Sequence, residues 1–100
     1  MDMTIDKTAN EGSLVLALEG RLDTTTAPEL ENVIKSDLDG VSELVIDMEN
    51  LAYISSAGLR VLLSAQKIMN KQGSMVIKKV KPEIAEIFEI TGFSDILTIE

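Results

Sequence analysis

The sequence predicts an α/β fold: a small mixed β-sheet, built from an N-terminal hairpin and then parallel βα units, with helices packed mainly on one face. Three observations predict it. Short β-rich runs alternate with segments whose apolar residues recur at helical spacing, the pattern of parallel strands joined by right-handed crossovers. The first two β-rich runs lie only a turn apart, which makes them an antiparallel hairpin. One hundred residues, 45% hydrophobic and 26% charged, are enough for one core that buries about two thirds of the unfolded surface. A single domain over residues 1–100 is therefore expected.

The hairpin strands are "MTIDKT" and "SLVLALEG", separated by "ANEG", whose Asn and Gly favour a turn. Leu14 to Leu18 is apolar at every position, which suits a strand covered on both faces. "GRLDTTTAPEL" leads into the first helix: Thr26 stands three residues before Glu29, a capping-box spacing, and Pro28 is tolerated in a first turn. Leu30, Val33, Ile34 and Leu38 then recur at helical spacing, with Gly40 as the expected stop. "ELVIDMEN" reads as a central strand ending in acids, followed directly by "YISSAGLRVLL".

In that second helix, at about 100° per residue, Val61, Ala65 and Ile68 group with Gly58, Leu62 and Met69 on the face that belongs on the sheet. Leu59 and Leu63 stack one turn apart on another side. Two readings stand for that pair: a neighbouring helix covers it, or it is an apolar docking strip for another protein or a second copy. After Gly73 comes the strand "SMVIKK". Pro82 opens a third helix with Ile84, Ile87 and Phe88, Gly92 ends it, and "ILTIE" adds a short last strand.

Composition excludes several chemistries. There is no cysteine and no histidine, so thiolate metal sites, cysteine nucleophiles and histidine-dependent hydrolysis are ruled out. Neither a metal nor a cofactor is implied. A net charge of −8 opposes direct binding to nucleic acid or anionic lipid. No apolar run approaches the roughly 20 residues that cross a bilayer, and "MDMTIDKTANEGS" resembles no leader; a cytoplasmic protein is expected. The charge is uneven, however. From Leu51 to Pro82 there is no acid, whereas Arg60, Lys67, Lys71, Lys78, Lys79 and Lys81 are all basic. They are either ordinary solvent decoration or a local basic region for an acidic partner.

Ser55 and Ser56 by themselves invite two readings, and Asp47 a third. A serine before a helix caps a first-turn amide and stabilises it by about 1 kcal/mol, and Ala57 and Gly58 let the helix approach its strand closely. A nucleophilic serine would need a base and an orienting group, and neither a histidine nor a G-x-S-x-G elbow is present. With Asp47 at the end of a central strand the chain could resemble a phospho-acceptor receiver, but that resemblance would require an acidic pair after the first strand to hold magnesium, and the corresponding strand here ends in Glu19-Gly20.

"LVIDMENLAYISSAGLRVLL", together with "LEGRLDTTTAPEL" and "FEITGFSDILTIE", resembles the STAS family (sulfate transporter and anti-sigma factor antagonist), most nearly its small stand-alone antagonists. The likeness runs through the whole chain and implies a single STAS domain that is not an enzyme. It further implies a phosphorylation-switched protein that binds an anti-sigma factor, itself a serine kinase, and so frees a sigma factor; a serine phosphatase resets it. The family's helix entrance usually reads Asp-Ser, then Ser, Thr or Ala, then Gly-Leu. Ser55 stands where the Asp is common, Ser56 matches the middle serine, and Gly58 and Leu59 match the end. The third position, phosphorylated in many members, is Ala57 and carries no hydroxyl. Ser56 becomes the expected acceptor, with Ser55 second. The partner surface implied is Asp23, Thr24, Ser55, Ser56, Ala57, Gly58, Leu59, Arg60 and Leu63. An accessory subunit of a membrane transport complex is the alternative.

Overall fold

The structure, a computed structural model, describes residues 3–100; Met1 and Asp2, the first two residues of the segment read for a leader, lie outside them. Strands β1 (Met3–Asn10) and β2 (Ser13–Leu22) form the predicted hairpin. Its turn is Glu11-Gly12, with φ of 40° and 88°. Two positive φ values in a row belong to the type I′ turn, whose twist matches the strands it joins, and glycine supplies the second without strain.

Helix α1 (Ala27–Asp37), strand β3 (Glu43–Ile54), helix α2 (Ser56–Gln72), strand β4 (Ser74–Lys78) and helix α3 (Pro82–Thr91) follow in order, with a 3-10 turn at Phe93–Asp95. The sheet order is β1-β2-β3-β4, antiparallel in its first pair and parallel in the other two. Because each crossover steps the same way across the sheet, the right-handed rule sends all the helices to one face. The expected last strand contracts to a single parallel bridge, Ile77 to Ile99.

The core lies between that face and the helices. Leu14, Leu16 and Leu18 of β2, Leu44, Ile46 and Met48 of β3, and Met75 and Ile77 of β4 meet Leu30, Ile34, Leu62, Met69, Ile84 and Phe88. The run from Leu14 to Leu18 is not covered on both faces, as the sequence suggested: Val15 and Ala17 are only half-buried. Val15, Val45 and Val76 sit side by side in register across three strands of the open face, so they shield one another without a covering layer.

Strand β3 runs four residues beyond the predicted "ELVIDMEN". Two register shifts against β2, between Ala17 and Glu19 and between Gly20 and Arg21, absorb extra residues on β3. Each bulge turns the side chains over, so the buried positions step from Met48 to Leu51 to Ile54 in threes rather than twos. Bent this way, β3 delivers the chain to the start of α2 with Ile54 still inside.

Candidate functional site

The end of β2 and the end of β3 lie side by side, Leu22 opposite Ile54, and the Ser55 N–H donates to Leu22 O at 2.9 Å. This bond fixes where α2 begins. Ser55 is the N-cap, extended at φ −102° and ψ 175°, and its hydroxyl accepts from the Gly58 N–H at a long 3.4 Å. Ser56 is the first helical residue and is exposed. Its N–H and that of Ala57 have no acceptor among the described residues, as expected for a first turn.

Ser56 thus stands at the positive end of the longest helix with its hydroxyl open to solvent, whereas Ser55 is half-buried. Arg60, one turn further along the same side, is also exposed. Ala57 is half-buried and lines a groove of about 360 Å³ between the first turns of α1 and α2. Thr24, Ala27, Pro28 and Glu31 form one wall of the groove, and Ala57, Arg60, Val61 and Ser64 the other. The structure therefore brings Thr24 and Arg60, distant in sequence, to one opening.

Two residues of the expected partner surface, Gly58 and Leu59, lie inside, and a third, Leu63, is partly covered. Gly58 is buried, and a Cβ built on it would lie 2.7 Å from Leu22 Cγ. Leu59 is only 5% exposed and belongs to the core. Leu63 is half-buried. The exposed apolar strip is not present: β3 hands α2 to the sheet at such close range that Leu59 is drawn into the core beside Gly58.

The Asp23 carboxylate is bonded within its own loop. Its Oδ1 accepts from the Thr25 N–H at 3.0 Å, the Thr25 hydroxyl at 2.8 Å and the Thr26 N–H at 3.1 Å. The Thr26 hydroxyl in return accepts from the Asp23 N–H at 2.9 Å and donates to Arg21 O at 2.6 Å. These reciprocal bonds are a capping box set one turn before the predicted one, and the Thr26 side chain caps nothing at α1 itself. The Thr25 hydroxyl, opposed by desolvation and helped by the Thr25 and Thr26 amides and the Thr26 hydroxyl, lowers the Asp23 carboxyl to about 2.

Sequence reasoning missed Arg21 and Tyr53. They are register partners on β2 and β3, and the guanidinium stacks 4.2 Å from the ring centroid while its Nε lies 3.7 Å from Asp23 Oδ2. The available signal was the single tyrosine of the chain, two residues before the serine pair. Among the described residues no three metal-ligating side chains converge, and no helix is long and apolar enough to cross a membrane.

The family model described as "STAS domain" matches residues 4–100. The chain belongs to the STAS domain family. One relative, named putative anti-sigma factor antagonist BtrV, from Bordetella bronchiseptica, is 40% identical over 99% of this chain and 85% of its own length. The anti-sigma-B factor antagonist of Staphylococcus aureus is 31% identical over 99% of this chain and 94% of its own. Among solved structures, an anti-sigma factor antagonist from Mycobacterium paratuberculosis superposes with a TM-score of 0.87 at 24% identity, covering 97% of this chain and 84% of that one. The phosphorylated form of the Bacillus cell fate determinant SpoIIAA gives 0.76 at 16% identity, covering 97% and 91%. These two share the STAS fold with this chain.

Proposed function

We propose that this STAS domain is an anti-sigma factor antagonist: unmodified, it binds an anti-sigma factor and so frees a sigma factor for transcription. Two relatives at 31% and 40% identity that carry that name along nearly the whole chain support this reading; the transport-subunit alternative gains nothing from them. The role is cytoplasmic and regulatory, made of contacts rather than catalysis.

The observation that carries the switch is the exposed Ser56 hydroxyl at the first helical position of α2, beside free first-turn amides. A phosphate there adds about −1.5 to −2 charge, and the helix N-terminus tolerates that anion, so the fold survives. A partner resting on Ser56 would have to desolvate the dianion, which costs several kcal/mol unless it supplies a cation. Addition by the anti-sigma factor acting as a serine kinase, and removal by a serine phosphatase, complete the cycle. Ser55 ranks second because its hydroxyl is engaged as the cap.

Calorimetry with the anti-sigma factor tests this. Ser56→Ala retains wild-type affinity and Ser56→Asp loses at least about tenfold; equal affinities would refute the switch. Intact mass after incubation with the kinase and ATP gains one phosphate in wild type and none in Ser56→Ala.

A further inference from the structure

Of the nine cations in the chain, five are held in ion pairs: Lys7 by Asp37, Arg21 by Asp23, Lys35 by Glu31, Lys78 by Glu100, and Lys79 by Asp47 and Glu49. Three of the other four, Arg60, Lys67 and Lys71, lie on α2, all exposed and without a carboxylate partner among the described residues. Their helical angles fall within about 40° of one another, so they form a single ridge about 16 Å long on the outer side of α2, with exposed Ser64 beside it. In a chain of net charge −8, three cations along one line, on an element that carries no acid, stand without an ion pair among the described residues. Lys71 in the last turn suits the helix dipole; Arg60 and Lys67 gain nothing from it.

We infer that this ridge, together with the α1/α2 groove beside it, is the docking surface for an acidic amphipathic segment of the anti-sigma factor. This rests on the antagonist reading and names the chemistry of the partner. Carboxylates of the segment lie along Arg60, Lys67 and Lys71, and an apolar side chain enters the groove over Ala27, Pro28, Ala57 and Val61. Charge complementarity favours a protein segment over a polyanion: three cations within a strongly acidic body neutralise too few phosphates to hold nucleic acid or lipid. The ridge also begins one turn from Ser56. A phosphate there pairs with Arg60 and places a dianion at the end of the ridge, so it competes with the partner's carboxylates for the same cation. Release then follows from charge competition along α2, in addition to the desolvation of Ser56 itself.

The test is calorimetry of the full chain with the anti-sigma factor at low and high salt. Wild type binds and weakens as salt rises. The variant Lys67→Glu/Lys71→Glu, far along α2 from the serines, loses at least about tenfold and shows a flatter salt dependence. Lys78→Glu/Lys81→Glu, with the same change in net charge, stays within about twofold. Equal affinity for the two double variants would overturn the ridge while leaving the antagonist reading intact. Wild type that binds no anti-sigma factor would sink both. Binding of wild type, lost in Lys67→Glu/Lys71→Glu, to phosphatidylserine vesicles or duplex DNA in place of the protein would also overturn the proposal. Circular dichroism of each variant confirms that the helix remains.

Discussion

Gly58 and Leu22 are so close that no side chain fits between them: a Cβ at position 58 would lie 2.7 Å from Leu22 Cγ and 3.0 Å from both Leu22 Cδ2 and Ile54 Cγ1. The first turn of α2 therefore rests directly on the ends of β2 and β3. Gly58→Ala must push that turn outward or force Leu22 off its rotamer, which costs about 1–3 kcal/mol. Urea denaturation should register this loss, along with a weaker interaction with the partner, because Ser56 and Arg60 ride on the displaced turn. An alanine variant as stable as wild type would show that the contact relaxes freely.

The Asp23 carboxyl, lowered from 3.8 to about 2 by its bonds within the loop, makes stability depend on pH in a defined window. A depressed folded value means that the contribution is fully present above 3.8 and is lost as pH falls through about 2. Asp37, lowered by its Lys7 hydrogen bond, acts in the same direction. Thermal unfolding of Asp23→Asn should fall less than wild type between neutral pH and about pH 3. Parallel curves for the two proteins would deny the loop this role.

Ser55 caps α2 through a long 3.4 Å bond, and no acid sits in the first turn. Ser55→Asp places a charge at the helix's positive end and should stabilise by about 0.3–1 kcal/mol, more at low salt than at high. Ser55→Ala should cost no more than about 1 kcal/mol. Denaturant midpoints at two ionic strengths check both, and a salt-independent gain would point away from the dipole.

Gln66 is 6% exposed, with Nε2 donating to Asn70 Oδ1 at 2.9 Å while Oε1 meets no donor among the described residues. A buried acceptor without a partner costs about 1–3 kcal/mol. Gln66→Leu, similar in volume and free of that acceptor, should unfold at a higher denaturant concentration than wild type. A clear loss of stability would mean that the amide is satisfied in solution.

The order of the elements, a hairpin turn within "ANEG", the helix entrance at Ser55-Ser56 and the family were all legible along the chain. These rest on local rules: alternation, helical period, turn chemistry and a motif read along the chain. The sequence did not reveal how far β3 extends, because two bulges break the period of two that marks a strand. It placed the capping box at Thr26 and Glu29, since spacing alone cannot tell which turn a carboxylate will cap. The tertiary structure decided which side chains of α2 reach solvent. Helical angle orders residues around an axis, but only the depth to which Gly58 lets that axis sink onto Leu22 and Ile54 determines that Leu59 is covered and Ser56 is not. The same depth sets Arg60 at the mouth of the groove opposite Thr24, a meeting of α1 and α2 that no spacing in either segment encodes.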